Sequence, residues 1–166
     1  KEAGEAVGGN LHIAKSRNDQ VATAIRMELR NELLSLMRAI SHVQDHLAEV
    51  AEDHVNTVIL EYTHLQPAQP VTFAHYLLSH YAVLERDLQR LQDAYARVNV
   101  CPLGAGALAT TSFPINRDRT AELLGFSGLA ENSIDAVGSR DFITETLAVL
   151  TLTAVNLSRF AEDLII

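Results

Sequence analysis

From Val21 onward the large apolar residues recur at Ile25, Leu29, Leu33, Leu36, Ile40, Val43, Leu47 and Val50, in steps of three and four. That period is one face of an α-helix. Ser16 followed by Asp19 reads as an N-terminal capping signal, so the spacing predicts a single helix from about Arg17 to Asp53. At ~1.5 Å per residue it is roughly 50 Å long and needs neighbours of similar length to cover its stripe. A second stripe, Phe73, Leu77, Leu84, Leu88, Leu91, Tyr95 and Val98, follows Pro70, a residue suited to a first helical position, and predicts a helix ending near Asn99. Asn116 suits the cap of a short helix through Leu124, with Gly125 closing it. A third long helix begins between Ser133 and Arg140, with Ile143, Leu147, Leu150, Ala154, Leu157, Ala161 and Leu164 on one seam.

Three long seams with near-heptad spacing predict an all-α fold, a bundle of long helices. Val149, Leu152 and Val155 lie off the third seam and leave that helix apolar nearly all round. Three helices in a monomer cannot bury such a helix on every side, so the pattern predicts an oligomeric helical core.

Composition agrees with this reading. Hydrophobic residues make up 48% of the 166, aromatics 5%, and Trp is absent, so the core is built from Leu, Val, Ile and Ala. The length suits one domain, read as a single helical segment over 1–166. Thirteen basic against twenty-one acidic residues give −8, which disfavours nucleic acid as a partner. The lone Cys101 cannot form an internal disulfide and suits a reducing compartment, the cytoplasm. Lys1–Asn10 is polar and Gly-rich without a signal core, and charges interrupt every other apolar stretch, so no membrane segment is expected. The chain stops at Leu164-Ile165-Ile166 inside a helical pattern without a cap, as expected of a segment truncated at both ends from a longer protein.

The chemistry concentrates between the helices. Ser16-Arg17-Asn18-Asp19-Gln20 opens the first helix, where free amides and the helix dipole favour an anion and Arg17 can add a bidentate grip; simple capping is the competing account. Glu61 to Pro70 reads as a loop stiffened by Pro67 and Pro70, which push Gln66 and Gln69 towards extended conformations. It carries His64, whose side-chain type titrates nearest physiological pH and suits general acid or base work, although a lone loop His is more often structural. Gly104 to Thr111 is built of small residues that let backbone approach a ligand or a helix closely; it could cradle an anion but lacks the order of a nucleotide phosphate loop. His42 and His46, with Glu49 and Asp53 further along, superficially resemble a metal site; without an HExxH arrangement or a Cys ligand they read as a solvated helix face.

SRNDQVAT, YTHLQPAQPVTFAHYLL and PLGAGALATTSFPINRDRTAELLGF closely resemble segments of the argininosuccinate lyase family, which includes the δ-crystallins, within the wider fumarase and aspartase superfamily. The resemblance runs over nearly the whole chain. It implies cleavage of argininosuccinate to arginine and fumarate by β-elimination, with no metal or organic cofactor. It also implies a homotetramer whose long helices form a shared bundle and whose active sites draw on several subunits. Carried over by position, Ser16, Arg17, Asn18 and Thr63 bind substrate and His64 is the acid/base histidine. Glu131 to Asp135 with Arg140-Asp141 resembles a further family segment, whose role is either structural or the support of residues that touch substrate. The family's loop of GSSxMPxKxNP type, which carries a catalytic Ser, has no match in the chain. The alternatives are a crystallin-like helical tetramer without activity and another fumarate-releasing lyase of the superfamily.

Overall fold

A computed structural model describes residues 8–165. Most of the polar stretch read over Lys1–Asn10, and the terminal Ile166, lie outside them. Helix α1 spans Arg17–Asp53, as the spacing predicts, and α2 spans Phe73–Val98. The short α3 covers Arg117–Leu123, with the Asn116 side chain accepting a hydrogen bond from the Arg119 amide. Gly125 follows with φ +71°, the left-handed backbone that closes such a helix. Helix α4 (Ser133–Gly138) precedes α5 (Asp141–Asp163), which begins one residue past its predicted range because α4 occupies most of that stretch. None of the described helices is long and apolar enough to cross a membrane.

The segment after α1 is not an irregular loop. Strands β1 (Val58–Thr63) and β2 (Gln66–Thr72) form an antiparallel hairpin, and a short parallel pair joins β3 (Val100–Cys101) to β4 (Gly128–Leu129). The extended bias imposed by the prolines was correct, but extended backbone closed on itself as a two-stranded ribbon. Proline is tolerated there because an isolated hairpin has only edge strands.

The chain forms two compact units, the first 1–32 with 94–144 and the second 33–93 with 145–166. In the first, α1 supplies two arginines that satisfy the open carbonyl ends of other helices. Arg26 Nη1 donates to the carbonyls of Arg97 and Val98 at 2.8 and 3.2 Å, and its guanidinium lies 3.9 Å over the Phe142 ring. Arg30 donates to the carbonyls of Gly125 and Leu124 and to Asn99 Oδ1, above the Phe126 ring. Carbonyls and ring replace part of the water each guanidinium loses, and Arg26 Nε is left buried without a hydrogen-bond partner among the described residues. Beneath them Cys101, Ala121 and Phe126 pack with Met27, Leu103, Leu124 and Leu129. Burial pushes the Cys101 thiol up, as suits a side chain that serves as core.

The second unit is the bundle. Leu33, Ile40 and Leu47 of α1 and Leu77, Leu84, Leu88 and Leu91 of α2 are buried, as their seams predict, whereas Val21 and Val43 of the α1 seam are exposed. Helix α5 differs. Its buried line is Phe142, Thr146, Val149 and Thr153, with Asn156 and Phe160 half-buried, while Leu147, Leu152, Val155, Leu157 and Leu164 of the expected apolar positions are exposed. The reason is a polar contact that hydrophobic periodicity cannot reveal. Asp87, fully buried on α2, accepts two bonds from Asn156 Nδ2 at 3.1 and 2.9 Å and one from Arg90 at 2.8 Å. A buried carboxylate costs several kcal/mol unless paired, so satisfying Asp87 fixes which face of α5 turns inward.

Candidate functional site

Ser16 and Asp19 form the capping arrangement at the start of α1. Ser16 Oγ accepts from the Asn18 amide at 3.2 Å, and Asp19 Oδ1 accepts from the Ser16 amide at 3.0 Å. The capping reading therefore holds, and it leaves the anion reading open. The Ser16 hydroxyl uses a lone pair and keeps its own O–H to donate. Asn18 spends one Nδ2 hydrogen on the Ala107 carbonyl at 3.0 Å and keeps another. Arg17 is exposed and makes no hydrogen bond or ion pair among the described residues. Three donors thus stand at the positive end of a 37-residue helix. Asp19, the one acid in that turn, is buried with both carboxylate oxygens engaged inward.

Thr63 and His64 lie in the second unit, at the end of the hairpin. Thr63 pairs with Gln66, so only His64 and Leu65 turn the chain, and both have positive φ, 52° and 59°. Two-residue turns of this kind usually use Asn-Gly, because a side chain in left-handed backbone costs roughly 1–2 kcal/mol. Strain kept at a ligand-facing turn is commonly part of a site. His64 faces a cavity of about 720 Å³ whose walls include Glu61, Tyr62, Phe73, Tyr76 and Asp163.

Tyr76 and Asp163 escape the sequence reading, although a signal exists. Phe73, Tyr76 and His80 recur at helical spacing on α2, and their rings form a continuous series of contacts. Phe73 lies against Tyr76 at 5.9 Å, Tyr76 edge-on to His80 at 4.9 Å, and His80 against Phe160 of α5 at 4.4 Å. Burial raises the Tyr76 pKa, with Asp163 and Glu61 adding to it. His80 Nε2 sits 3.5 Å from Asp163 Oδ2, is shielded from solvent and makes no hydrogen bond. Burial lowers the His80 pKa, outweighing the upward pull of Asp163. A lowered histidine pKa means that the unfolded chain takes up the proton first. Its contribution is complete above about pH 6.5, the unfolded value, and stability is lost as pH falls through it. Urea midpoints at pH 7.5 and 5.5 should therefore differ more for the wild-type chain than for His80→Gln. Equal differences would remove His80 as the cause.

His42 and His46 are exposed, and His46 lies 3.6 Å from Glu49 on the same solvated face. Among the described residues no three His, Cys, Asp or Glu side chains are grouped as a metal ion requires.

Residues 3–166 match the sequence profile of a family described as lyase. The chain belongs to this lyase family. Among its relatives, the argininosuccinate lyase of Methanocaldococcus jannaschii is 53% identical over 166 residues, all of this chain and 34% of that protein. That of Methanosarcina acetivorans is 55% identical over 163 residues, 98% of this chain and 33% of that protein. The chain therefore spans about a third of the length of the lyases it matches. Among solved structures, EDDS lyase in complex with formate superposes with a TM-score of 0.92 at 42% identity, over 95% of this chain and 32% of that one. A variant of EDDS lyase with bound fumarate gives the same TM-score and identity, over 96% of this chain and 32% of that one. All-α bundle architecture and lyase ancestry, both expected from the sequence, are thereby established.

Proposed function

We propose that the protein containing this chain cleaves argininosuccinate to arginine and fumarate by β-elimination. The carrying observation is identity above 50% to argininosuccinate lyases along essentially the whole chain. In this reading Ser16, Arg17 and Asn18 grip a carboxylate of the succinyl part, and Thr63 binds beside His64. Removing a proton from the carbon next to a carboxylate builds negative charge on that carboxylate. Donors fixed before the reaction stabilise that charge at little reorganisation cost. The C–N bond then breaks as the electron pair leaves with the guanidino nitrogen, which must gain a proton. His64 serves the removal or the delivery. The reading calls for no cofactor.

The reading places the site among several subunits of one assembly, as the family resemblance implies. Exposed apolar residues suit the same assembly: Leu147, Leu152 and Val155 on α5, and Val58, Leu60 and Tyr62 along β1. We take the assembly to be a homotetramer and its compartment to be the cytoplasm, where the single buried thiol of Cys101 stays reduced. Retention of Thr63 and His64 favours the enzyme over a crystallin-like scaffold.

The complete protein should release fumarate steadily from argininosuccinate, read as ultraviolet absorbance. Release only from other N-succinyl adducts would transfer the activity to a different lyase of the superfamily, such as one of the EDDS lyase type. Arg17→Lys should weaken fumarate binding on the order of tenfold although charge is kept, because the bidentate fork is lost. Unchanged affinity by calorimetry would return this turn to capping alone.

A further inference from the structure

Asp19 is fully buried in the first unit and is enclosed by backbone. Its Oδ1 accepts from the Ser16 amide at 3.0 Å, and its Oδ2 accepts from the amides of Gly104 and Gly106 at 3.0 and 2.9 Å. The Gly-rich loop that the sequence marked as a possible anion cradle therefore holds an anion from its own chain. Both glycines have positive φ, +94° and +65°. A Cβ on Gly104 would meet Arg117 Cγ at 2.7 Å, and one on Gly106 would meet the Thr110 carbonyl oxygen at 2.7 Å. The two amides can thus point at one oxygen only while these positions carry no side chain. The clasp also carries the binding turn. Ser16, whose amide Asp19 holds, is one donor of the proposed carboxylate grip, and Asn18 is tied to the Ala107 carbonyl of the same loop. Helix start and loop are 85 residues apart in sequence and are joined by this one carboxylate and the Asn18 bond.

We propose that Asp19 is a positioning residue of the lyase. By clasping the Gly104–Gly106 backbone it sets the geometry in which Ser16, Arg17 and Asn18 receive the substrate carboxylate. The inference rests on the carboxylate-binding reading above and adds to it a residue that touches no substrate. The physical basis is that a donor array binds tightly only when its geometry is fixed beforehand, and an ångström of misplacement can cost on the order of a hundredfold. Exchanging one acceptor oxygen for an amide turns an N–H towards the amides of Ser16 or of the glycines, where donor faces donor.

The test is Asp19→Asn in the complete enzyme, compared with Asp118→Asn, an exposed acid in the first turn of α3, and with Gly106→Ala, which disturbs the clasp while keeping the carboxylate. Asp19→Asn and Gly106→Ala should each raise the fumarate Kd and the KM for argininosuccinate about tenfold, with faster hydrogen exchange at the loop amides. Asp118→Asn should change neither constant. A merely structural Asp19 would reduce the active fraction, lowering kcat with KM and Kd unchanged; that result overturns the proposal. Wild-type fumarate affinity in Asp19→Asn overturns it too. Should Asp19→Asn fail to fold, Gly106→Ala decides alone by the same two constants. If the wild-type enzyme itself binds no fumarate, the carboxylate reading fails and this proposal falls with it, an outcome separate from a variant that matches a fumarate-binding wild type.

Discussion

His64→Asn in the complete lyase should lower turnover by a factor on the order of 10² or more, the usual contribution of a general acid or base, while leaving helical content unchanged. The turn makes this substitution unusually clean. His64 has φ 52° and Leu65 φ 59°, and asparagine occupies left-handed backbone more readily than histidine does. The Thr63–Gln66 register should survive, so Thr63 stays in place and the loss reports chemistry rather than a displaced hairpin. Asparagine also keeps polar atoms at the mouth of the cavity lined by Tyr62, Tyr76 and Asp163, but cannot exchange a proton near neutral pH. Circular dichroism and steady-state fumarate release on one preparation make the check. Turnover within a few-fold of wild type would remove His64 from proton transfer and leave its strained backbone without a catalytic reason.

What was legible in the sequence was what local physics writes there. The limits of α1 followed from Ser16, Asp19 and the apolar period, and α3 followed from Asn116 and Gly125, because caps and helical stripes act over three or four residues. The hairpin was not legible. Its turn carries none of the glycine or asparagine that announces left-handed backbone, and its prolines look like punctuation. The inward face of α5 was misassigned because Asn156 meets a carboxylate 69 residues away, and no count of apolar residues anticipates that bond. At the candidate site the residue types could be named from the sequence, whereas the clasp of Asp19 by Gly104 and Gly106 is a long-range arrangement that only the fold displays. His80 and Tyr76 lie between these cases, being visible as a helical aromatic series without any sign of the Asp163 beside them.

The 166-residue chain made alone should associate through its helices and release no fumarate from argininosuccinate. Association follows from the second unit, where α5 turns Thr146 and Thr153 inward and leaves Leu147 and Val155 more than half exposed, at 58% and 52%. The hairpin adds Val58, Leu60 and Tyr62, alternate residues of β1 that are all open to solvent. A two-stranded ribbon is marginal in water without a covering surface, and apolar faces this extensive mark interfaces on soluble proteins. Inactivity has a separate cause. An elimination needs one group to take a proton and another to give one, and the role proposed for His64 supplies a single such group. The Ser-bearing loop that the family resemblance pairs with it has no counterpart in the chain. Losing one member of a cooperating pair removes most of the catalysis that both provide. Light scattering for mass and ultraviolet absorbance after adding argininosuccinate test the two causes on one preparation. A strictly monomeric species would refute the packing argument, and steady fumarate release would show that His64 needs no second group from outside these residues.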